Sequence, residues 1–167
     1  MINVQKNDLY FARKDESIKL PTKRVEDAGY DIYAYFDEEA MIIEPHTTKM
    51  IPTGLYSACS SDYYIQLVER GSTGSKGIAQ RCGVIDSGYR GEWFVPLTNT
   101  TDKKLIISKD VTDTLILDEV IMYPYDKAIC QAVVIPVPIM DVKEITVDEL
   151  KSIVSKRGEG AIGSSNK

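Results

Sequence analysis

Short apolar segments recur along the chain, separated by residues that favour turns. These segments are rich in Val, Ile, Tyr and Thr and are bounded by Gly, Pro, Asp or Ser, which is typical of strands and not of helices. The predicted strands are residues 32–36, 41–43, 49–52, 63–68, 93–98, 104–108, 114–117, 119–123 and 128–137. Many short strands at close spacing predict an all-β sandwich, jelly roll or barrel.

One helix is predicted, and it lies near the C-terminus. Thr146 is followed three residues later by Glu149, which is the spacing of a capping box. Leu150, Ile153 and Val154 then form one narrow apolar stripe. The pattern therefore predicts a single short helix that begins at the capping box.

Length and composition favour one compact domain. The chain has 167 residues, of which 43% are hydrophobic and 27% are charged. A single domain of this size buries roughly 70% of the surface of its unfolded chain. We expect the β-domain to span residues 1–155 and a flexible, glycine-rich arm to follow at 156–167, either disordered or closing over a ligand.

Charge, cysteines and histidine exclude several classes of function. The net charge of −5 argues against a protein that binds nucleic acid by neutralising phosphates. The chain has no apolar run of the ~20 residues that a membrane span needs and no signal-peptide core, so we expect a cytoplasmic protein. Cys59, Cys82 and Cys130 are widely spaced and predicted to be free, buried or half-buried thiols. His46 is the only histidine and is predicted to be a turn residue, which excludes histidine-based metal sites.

Glycines are concentrated in two stretches of the chain. The first contains Gly71, Gly74, Gly77, Gly83, Gly88 and Gly91, and the second contains Gly158, Gly160 and Gly163. Glycine permits positive φ and a close approach of the backbone to a ligand. The clusters therefore indicate loops whose amides face a ligand, with ordinary hairpin turns as the alternative.

The stretch RGSTGSKG at 70–77 has the composition of a phosphate-binding loop. It combines consecutive backbone donors with three hydroxyls and two cations, which are the groups that a polyphosphate requires. It is not a P-loop, because the glycine-to-lysine spacing is one residue short and no helix pattern follows. The alternative is a solvated turn.

Two carboxylates follow glycines at the edges of apolar segments. Asp86 lies within the glycine-flanked stretch 83–92, three residues before Tyr89, and Asp31 follows Gly29. A carboxylate on a rigid turn can polarise a water molecule, and a tyrosine face can stack on a sugar or base. The alternative is that each aspartate only begins a turn or caps a strand.

Arg157 lies in the glycine-rich arm. An arginine fork binds a terminal phosphate in a bidentate manner, and an arm that closes over a ligand excludes water. The alternative is a solvated tail.

Five of these segments form an ordered set. They are AGYDI at 28–32, ERGSTGSKGI at 69–78, GVIDSGYRGEW at 83–93, AICQAVVIPV at 128–137 and RGEGAIGSS at 157–165. In this order they resemble the five motifs of the trimeric dUTPase family, the dUTP nucleotidohydrolases. The resemblance covers most of the chain and implies a jelly-roll-like β-domain that assembles as a homotrimer with active sites shared between subunits.

The resemblance also implies an activity, which is hydrolysis of dUTP to dUMP and pyrophosphate with Mg²⁺ as cofactor. Asp86 would activate the water that attacks the α-phosphorus, and Tyr89 would pack on the deoxyribose. Asp31 would help to hold the Mg²⁺ through water, without a direct bond from protein to metal. The other implied substrate-binding residues are Arg70, Gly71, Ser72, Thr73, Gly83, Ile85, Gln131, Arg157, Gly160, Ile162 and Ser164.

The chain departs from the family pattern at three positions. Gly71 stands where serine is usual, Ala128 stands where an arginine is usual, and Ile162 replaces the phenylalanine that stacks over the uracil. Residues 110–125 also form a longer link than is usual between the third and fourth motifs. An extra hairpin packed on its own subunit is the favoured interpretation, and a surface for a protein partner, as in phage-type members, is the alternative.

Two other functions compete with dUTP hydrolysis. A dCTP deaminase-like enzyme would share the fold, but the chain has no R-S-S-x-x-R stretch of the kind which that family uses. A nucleotide-gated regulatory protein would keep the nucleotide site and act through residues 110–125.

Overall fold

The computed structural model describes residues 2–160. Within this range the chain forms thirteen strands and two short helices, joined by turns and loops. The strands are β1 Leu9–Arg13, β2 Gly29–Ile32, β3 Ala40–Ile43, β4 Thr48–Pro52, β5 Leu55–Cys59, β6 Tyr63–Val68, β7 Ile78–Gln80, β8 Val84–Ile85, β9 Phe94–Asn99, β10 Lys104–Ser108, β11 Leu115–Ile116, β12 Val120–Pro124 and β13 Cys130–Pro136. The helices are α1 Gly71–Gly74 and α2 Val147–Ser152. The predicted all-β, jelly-roll-like class is confirmed.

The strands form four small sheets. Their hydrogen-bonded orders are β1-β5, β4-β9-β7, β11-β12-β10-β3 and β2-β13-β6-β8. The described strand pairs are antiparallel, except that β10 and β12 are parallel. Strand β13 lies between β2 and β6, so the end of the domain is inserted between two elements from its first half.

The sheets enclose one hydrophobic core, which is built from alternating positions of the strands. Every second residue from Trp93, which directly precedes β9, is buried: Trp93, Val95 and Leu97 are at most 1% exposed. Ile65 and Leu67 do the same on β6. A period of two directs these side chains to one face of a strand, so the apolar spacing in the sequence determines which face is buried.

The predicted strands agree with the structure where the apolar alternation is strong. Residues 63–68 and 104–108 have the bounds of β6 and β10. Strands β1, β5, β7 and β8 were not predicted. Strand β1 has no buried residue and β8 has only two residues, so neither produces a long apolar pattern.

The predicted strand at 32–36 is wrong. Strand β2 ends at Ile32, where its pairing with β13 ends. Ala34 and Phe36 are buried in the core, and the amide of Tyr35 donates to the carbonyl of Pro52 at 2.8 Å. The alternating apolar residues therefore indicate that this segment is buried, but the segment does not pair with a sheet.

The predicted C-terminal helix is present as α2. The amide of Glu149 donates to Oγ1 of Thr146 at 3.2 Å, and the amide of Thr146 donates to Oε2 of Glu149 at 2.7 Å. These bonds form the predicted capping box. No residue of α2 is buried against residues 2–160, so its apolar stripe is exposed on the single chain. The prediction of only one helix is wrong, because α1 is a second.

The segment 110–125 contains a short antiparallel hairpin. Strand β11 pairs with β12, and β12 also pairs with β10 of the same chain. The amide of Leu117 donates to the carbonyl of Val120 at 2.9 Å and closes the turn.

The three cysteines are free thiols, and His46 lies in a turn with a φ of 55°. Cys59 and Cys130 are buried. The prediction that Cys82 is buried or half-buried is wrong, because it is exposed beside the glycine that begins the third motif.

A buried amide joins β9 to β3. Nδ2 of Asn99, which is fully buried, donates to the carbonyls of Ile43 at 3.1 Å and Lys103 at 2.6 Å. Its Oδ1 accepts from the amide and the hydroxyl of Thr101, at 3.1 and 2.8 Å. Both ends of the amide are therefore satisfied inside the core.

We expect Asn99→Asp to lower the free energy of unfolding by about 3 kcal/mol, because a carboxylate would face two carbonyl oxygens in the core. Chemical denaturation followed by Trp93 fluorescence measures this loss. Asn7→Asp is the matched control, because Asn7 is exposed. Equal stability of the two variants would contradict the assigned hydrogen bonds.

Candidate functional site

The main cleft lies where β2, β13 and the end of β6 meet. It has a volume of about 880 Å³ and is lined by Thr22, Lys23, Arg24, Glu26, Asp27, Ala28, Gly29, Asp31, Arg70, Gly71, Ser72 and Gln131. Strand pairing brings these segments together, because Gln131 of β13 is opposite Asp31 of β2 and Val68 of β6. Arg70 follows two residues after Val68 and so reaches the same place.

Arg70 and Asp31 form an ion pair in this cleft. Nε of Arg70 lies 3.0 Å from Oδ1 of Asp31, and Nη2 lies 3.5 Å from Oδ2. Nη1 donates to the carbonyl of Ala128 at 3.2 Å and to Oγ of Ser72 at 3.4 Å. About a third of each charged side chain stays exposed, so the guanidinium is held in one orientation and remains accessible to an anion.

Helix α1 holds the loop that carries Arg70. Thr73 is 1% exposed, and its hydroxyl accepts from the amide of Arg70 at 3.3 Å and donates to the Arg70 carbonyl at 3.0 Å. Thr73 therefore supports the loop from inside the domain and does not line the cleft. Of the predicted hydroxyl contacts, Ser72 is the one that faces the cleft.

The Gln131 side chain of β13 is held by the main chain that follows β6. Its Nε2 donates to the carbonyl of Glu69 at 2.9 Å. Gly29 leaves room for this side chain, because a Cβ at that position would lie 2.6 Å from Oε1 and 3.0 Å from Cβ of Gln131. The glycine of the first motif is thus required by close packing against the fourth motif.

Two buried groups beneath the cleft are neutral. Burial raises the pKa of the Tyr123 hydroxyl, which donates to the Ala128 carbonyl at 2.7 Å. Burial also raises the pKa of the Cys130 thiol. Cys130 is therefore no thiolate nucleophile, although it lies next to Gln131 in sequence.

The third motif forms a tight hairpin at the other edge of the sheet. Gly83 has a φ of 118°, its carbonyl accepts from the amide of Leu67 at 2.7 Å, and a Cβ there would lie 2.6 Å from the Leu67 carbonyl oxygen. Strand β8 follows, with Ile85 buried, so that residue offers only its main chain to a ligand. Asp86 is exposed immediately after the strand.

Hydrogen bonds within the hairpin fix the groups around Asp86. The amide of Tyr89 donates to the Asp86 carbonyl at 3.0 Å, and the Tyr89 hydroxyl donates to the Glu92 carbonyl at 3.0 Å. Nη1 of Arg90 donates to the Ser87 carbonyl at 2.7 Å. The Asp86 carboxylate has no hydrogen-bond partner within residues 2–160, so it is open to a ligand or water.

One chain does not bring the two halves of the predicted site together. Asp31, Arg70, Gly71, Ser72 and Gln131 line the main cleft on β2, β13 and the end of β6. The hairpin of the third motif follows β8, at the opposite edge of the same sheet. Although β8 pairs with β6, Ile85 is opposite Ile65 whereas Gln131 is opposite Val68, so the two halves are also offset along β6 by three residues, roughly 10 Å at ~3.4 Å per residue.

Of the residues predicted in the C-terminal arm, Arg157 and Gly160 are described, and neither lines the main cleft. Nε of Arg157 donates to the carbonyl of Gly160 at 2.9 Å, and Arg157 is exposed. The predicted contacts of Ile162 and Ser164 fall outside the described residues.

Sequence reasoning missed one wall of the cleft. Thr22, Lys23, Arg24, Glu26 and Asp27 line it, and the carbonyl of Thr22 accepts from the amide of Asp31 at 2.9 Å. Arg24 and Asp27 form an ion pair of 2.8 Å there, and hydrogen bonds from Arg24 lower the pKa of Asp27. The charged run KRVED directly before the first motif was the signal available in the sequence.

The carboxylates of the cleft suit a hard divalent ion that has other ligands as well. No group of three or more metal-binding side chains occurs in the described part of the chain. Mg²⁺ is commonly held by one or two carboxylates together with substrate phosphates and water. Asp31, partly exposed beside Arg70, fits that role.

Fold and site together define a β-protein with an anion-binding cleft and a separate, rigid carboxylate hairpin. The family model for dUTPase matches residues 15–111. A deoxyuridine 5'-triphosphate nucleotidohydrolase of Debaryomyces hansenii is 34% identical over 92% of this chain and 84% of its own length. The enzyme of the same name from Candida albicans is 32% identical over 89% and 82%. The chain belongs to the dUTPase family, which confirms the resemblance of the five motifs.

Solved structures agree on the fold. The dUTPase of Staphylococcus bacteriophage 80alpha with dUPNHPP has a TM-score of 0.72 at 23% identity, covering 95% of this chain and 98% of that one. The native EIAV dUTPase has a TM-score of 0.63 at 20% identity, covering 84% and 98%. No helix within residues 2–160 is long and apolar enough to cross a membrane.

We expect Gly29→Ala to displace the Gln131 side chain from the Glu69 carbonyl, because the new methyl group would occupy its place. A crystal structure of the variant measures the separation of Nε2 and the carbonyl oxygen, which should exceed hydrogen-bond distance. Gly71→Ala is the matched control, since nothing lies within 4 Å of a Cβ at that position. An unchanged Gln131 in Gly29→Ala would contradict the packing described.

Proposed function

We propose that this protein hydrolyses dUTP to dUMP and pyrophosphate. The observation that carries the proposal is the Arg70 guanidinium, held by Asp31 and Ala128 so that it points into a cleft with Ser72 and Gln131. Membership of the dUTPase family and the names of its relatives support the substrate. The activity keeps uracil out of DNA and supplies dUMP for dTMP synthesis.

In this proposal the main cleft binds the phosphates. Arg70 contributes its positive charge and the one N–H of Nη2 that Asp31 does not accept, the Ser72 hydroxyl and the Gly71 amide add neutral donors, and the Gln131 amide binds as well. Charged and neutral donors together stabilise the charge that develops as a phosphoanhydride bond breaks.

The hairpin of the third motif supplies the water and selects the base. Asp86 accepts a proton from a water molecule, whose oxygen bonds to the α-phosphorus while the bond from that phosphorus to the bridging oxygen breaks. Pyrophosphate leaves with the electrons of that bond. Main-chain groups of Gly83 and Ile85 read the uracil edge, and Tyr89 packs on the deoxyribose without room for a 2′-hydroxyl.

A homotrimer would bring the hairpin of one subunit to the cleft of its neighbour. The distance between the two halves in a single chain supports this, because neither half is sufficient alone. Apolar residues after β13 also support it, since Ile139, Val142 and Val154 are more than nine-tenths exposed on the single chain. Exposed apolar segments of this length commonly mark a surface that another chain covers.

Mg²⁺ is the proposed cofactor, and Asp31 would hold it through water. When bound, the ion neutralises phosphate charge as a Lewis acid. The dUTPase of phage phi11 of S. aureus is described with a structural Mg(II) ion, which supports the use of this metal in the family.

The arm at 156–167 is proposed to close over the nucleotide. Arg157 would clamp the γ-phosphate, while Gly160, Ile162 and Ser164 would cover the base and phosphates. Closure would exclude competing water from the reacting phosphorus. The proposed location is the cytoplasm, or the host cytoplasm for a viral source.

We expect Asp86→Asn to lower kcat for dUTP by about 10²- to 10⁴-fold, the usual contribution of a general base, with little change in the affinity for dUPNHPP. Pyrophosphate release measures kcat and calorimetry measures the affinity. Asp37→Asn is the matched control, because Asp37 is exposed.

The same assay is run with dUTP, dTTP, dCTP and UTP. Pyrophosphate from dUTP alone is the expected result, because Tyr89 and the hairpin select against the others. Ammonia release from dCTP would indicate a deaminase, and full activity of Asp86→Asn would contradict the role of that residue.

A further inference from the structure

The turn that carries Asp86 lies between two sheets. Before the turn, β8 pairs with β6 in the sheet of the main cleft. After the turn, the amide of Trp93 donates to the carbonyl of Leu55 on β5 at 2.8 Å, and β5 pairs with β1 in another sheet. Residues 86–92 therefore connect two parts of the domain that are anchored separately.

The Arg90 side chain joins the middle of this turn to β5. Its Nη1 donates to two carbonyls of the turn, those of Ser87 at 2.7 Å and Tyr89 at 3.0 Å. The same nitrogen donates to the carbonyl of Ser57 on β5 at 3.3 Å. Because a guanidinium is planar and its donors have fixed directions, it holds these acceptors in one arrangement.

Strand β5 is well anchored in the domain. Ser57 is buried and lies opposite Phe11 of β1. The Phe11 ring contacts the fully buried Trp93 edge-on, with ring centroids 5.6 Å apart. A paired and packed strand opens less readily than an exposed turn. Arg90 therefore fixes the position of the turn relative to the core.

Asp86 depends on the main chain of the turn for its position. Its carboxylate has no hydrogen-bond partner within residues 2–160. The carbonyl of Ser87, the next residue, accepts the shortest of the three hydrogen bonds from Arg90. A shift of that peptide group moves the Asp86 carboxylate with it.

We propose that Arg90 is a positioning residue, which holds the Asp86 carboxylate where it can accept a proton from the attacking water. It acts through the Ser87 carbonyl and not by contact with the nucleotide. The inference rests on the proposed hydrolysis of dUTP and adds Arg90 to the residues on which the chemical step depends. Gly83 and Ile85, whose main chain reads the uracil in that proposal, are held by β6 independently of Arg90. Loss of Arg90 therefore lowers the rate of the chemical step more than it lowers the affinity for the nucleotide.

Arg90→Met tests the inference. Methionine preserves the apolar stem of the side chain, which lines a groove with Tyr56 and Ala58, and removes the donors. We expect kcat for dUTP to fall about 10²-fold, the cost of a displacement of about 1 Å at a reacting centre. The affinity for dUPNHPP should change less than about threefold, because the groups that bind it stay in place. Pyrophosphate release measures kcat, and calorimetry measures the affinity.

Arg13→Met is the matched control. Arg13 is exposed on β1, and its Nη1 donates to the carbonyl of Ile18 at 3.1 Å, outside the turn and the main cleft. This variant loses the same kind of hydrogen bond, so it accounts for any general effect of removing an exposed arginine. We expect it to have the kcat of the wild type.

Two further measurements separate positioning from a loss of stability. Hydrogen exchange of the Tyr89 amide, which donates to the Asp86 carbonyl, should be faster in Arg90→Met than in Arg13→Met without nucleotide. Ethylguanidinium at millimolar concentration should raise the kcat of Arg90→Ala about tenfold, because it can donate to the same carbonyls. It should leave Asp86→Asn unchanged, since that variant lacks the base.

Three results would overturn the role of Arg90. They are Arg90→Met with the kcat of Arg13→Met, an equal loss of kcat and dUPNHPP affinity in Arg90→Met, and Arg90→Ala that does not respond to ethylguanidinium. Failure of the proposed function gives a different result, in which the wild-type protein does not hydrolyse dUTP but exchange at the Tyr89 amide still depends on Arg90.

Discussion

Pairing of β13 with β2 on one side and with β6 on the other is the interaction on which the rest of the site depends. It places Gln131 opposite Asp31 and brings the end of β6, with Arg70, to the same place. Each pairing joins segments that are far apart in sequence, so the cleft exists only when the whole domain is folded. The same sheet places β8, and with it the hairpin of Asp86, at the far edge.

The residues of this cleft can bind and stabilise negative charge on a polyphosphate, but they do not include a nucleophile. Arg70 is fixed by acceptors on three residues, Asp31, Ser72 and Ala128, and still lines the main cleft. The thiol of Cys130 beneath it is neutral because it is buried. Such a site lowers a barrier by holding donors where negative charge develops, and the reacting water must come from a separate base. The hairpin carries a carboxylate that fits this requirement.

Sequence alone predicted the fold class, two strands with their bounds and the capped C-terminal helix, because those features are local. It failed at 32–36, where apolar side chains are buried by a segment that leaves the sheet. It also grouped Thr73 with the ligand-facing hydroxyls, although the short helix α1 turns that residue inward. The separation of Asp86 from Arg70 could not be predicted, since it depends on the register in which β8 pairs with β6 and not on any motif.

Complementation between two inactive chains tests the shared site most directly. Arg70→Ala disables the cleft and Asp86→Asn disables the hairpin, so each variant alone should not hydrolyse dUTP. In a trimer with a cleft from one subunit and a hairpin from the next, every mixed trimer has one intact site. An equal mixture should therefore recover about one quarter of the wild-type activity after subunit exchange. No recovery, with mixed trimers shown by mass spectrometry, would contradict a site shared between subunits.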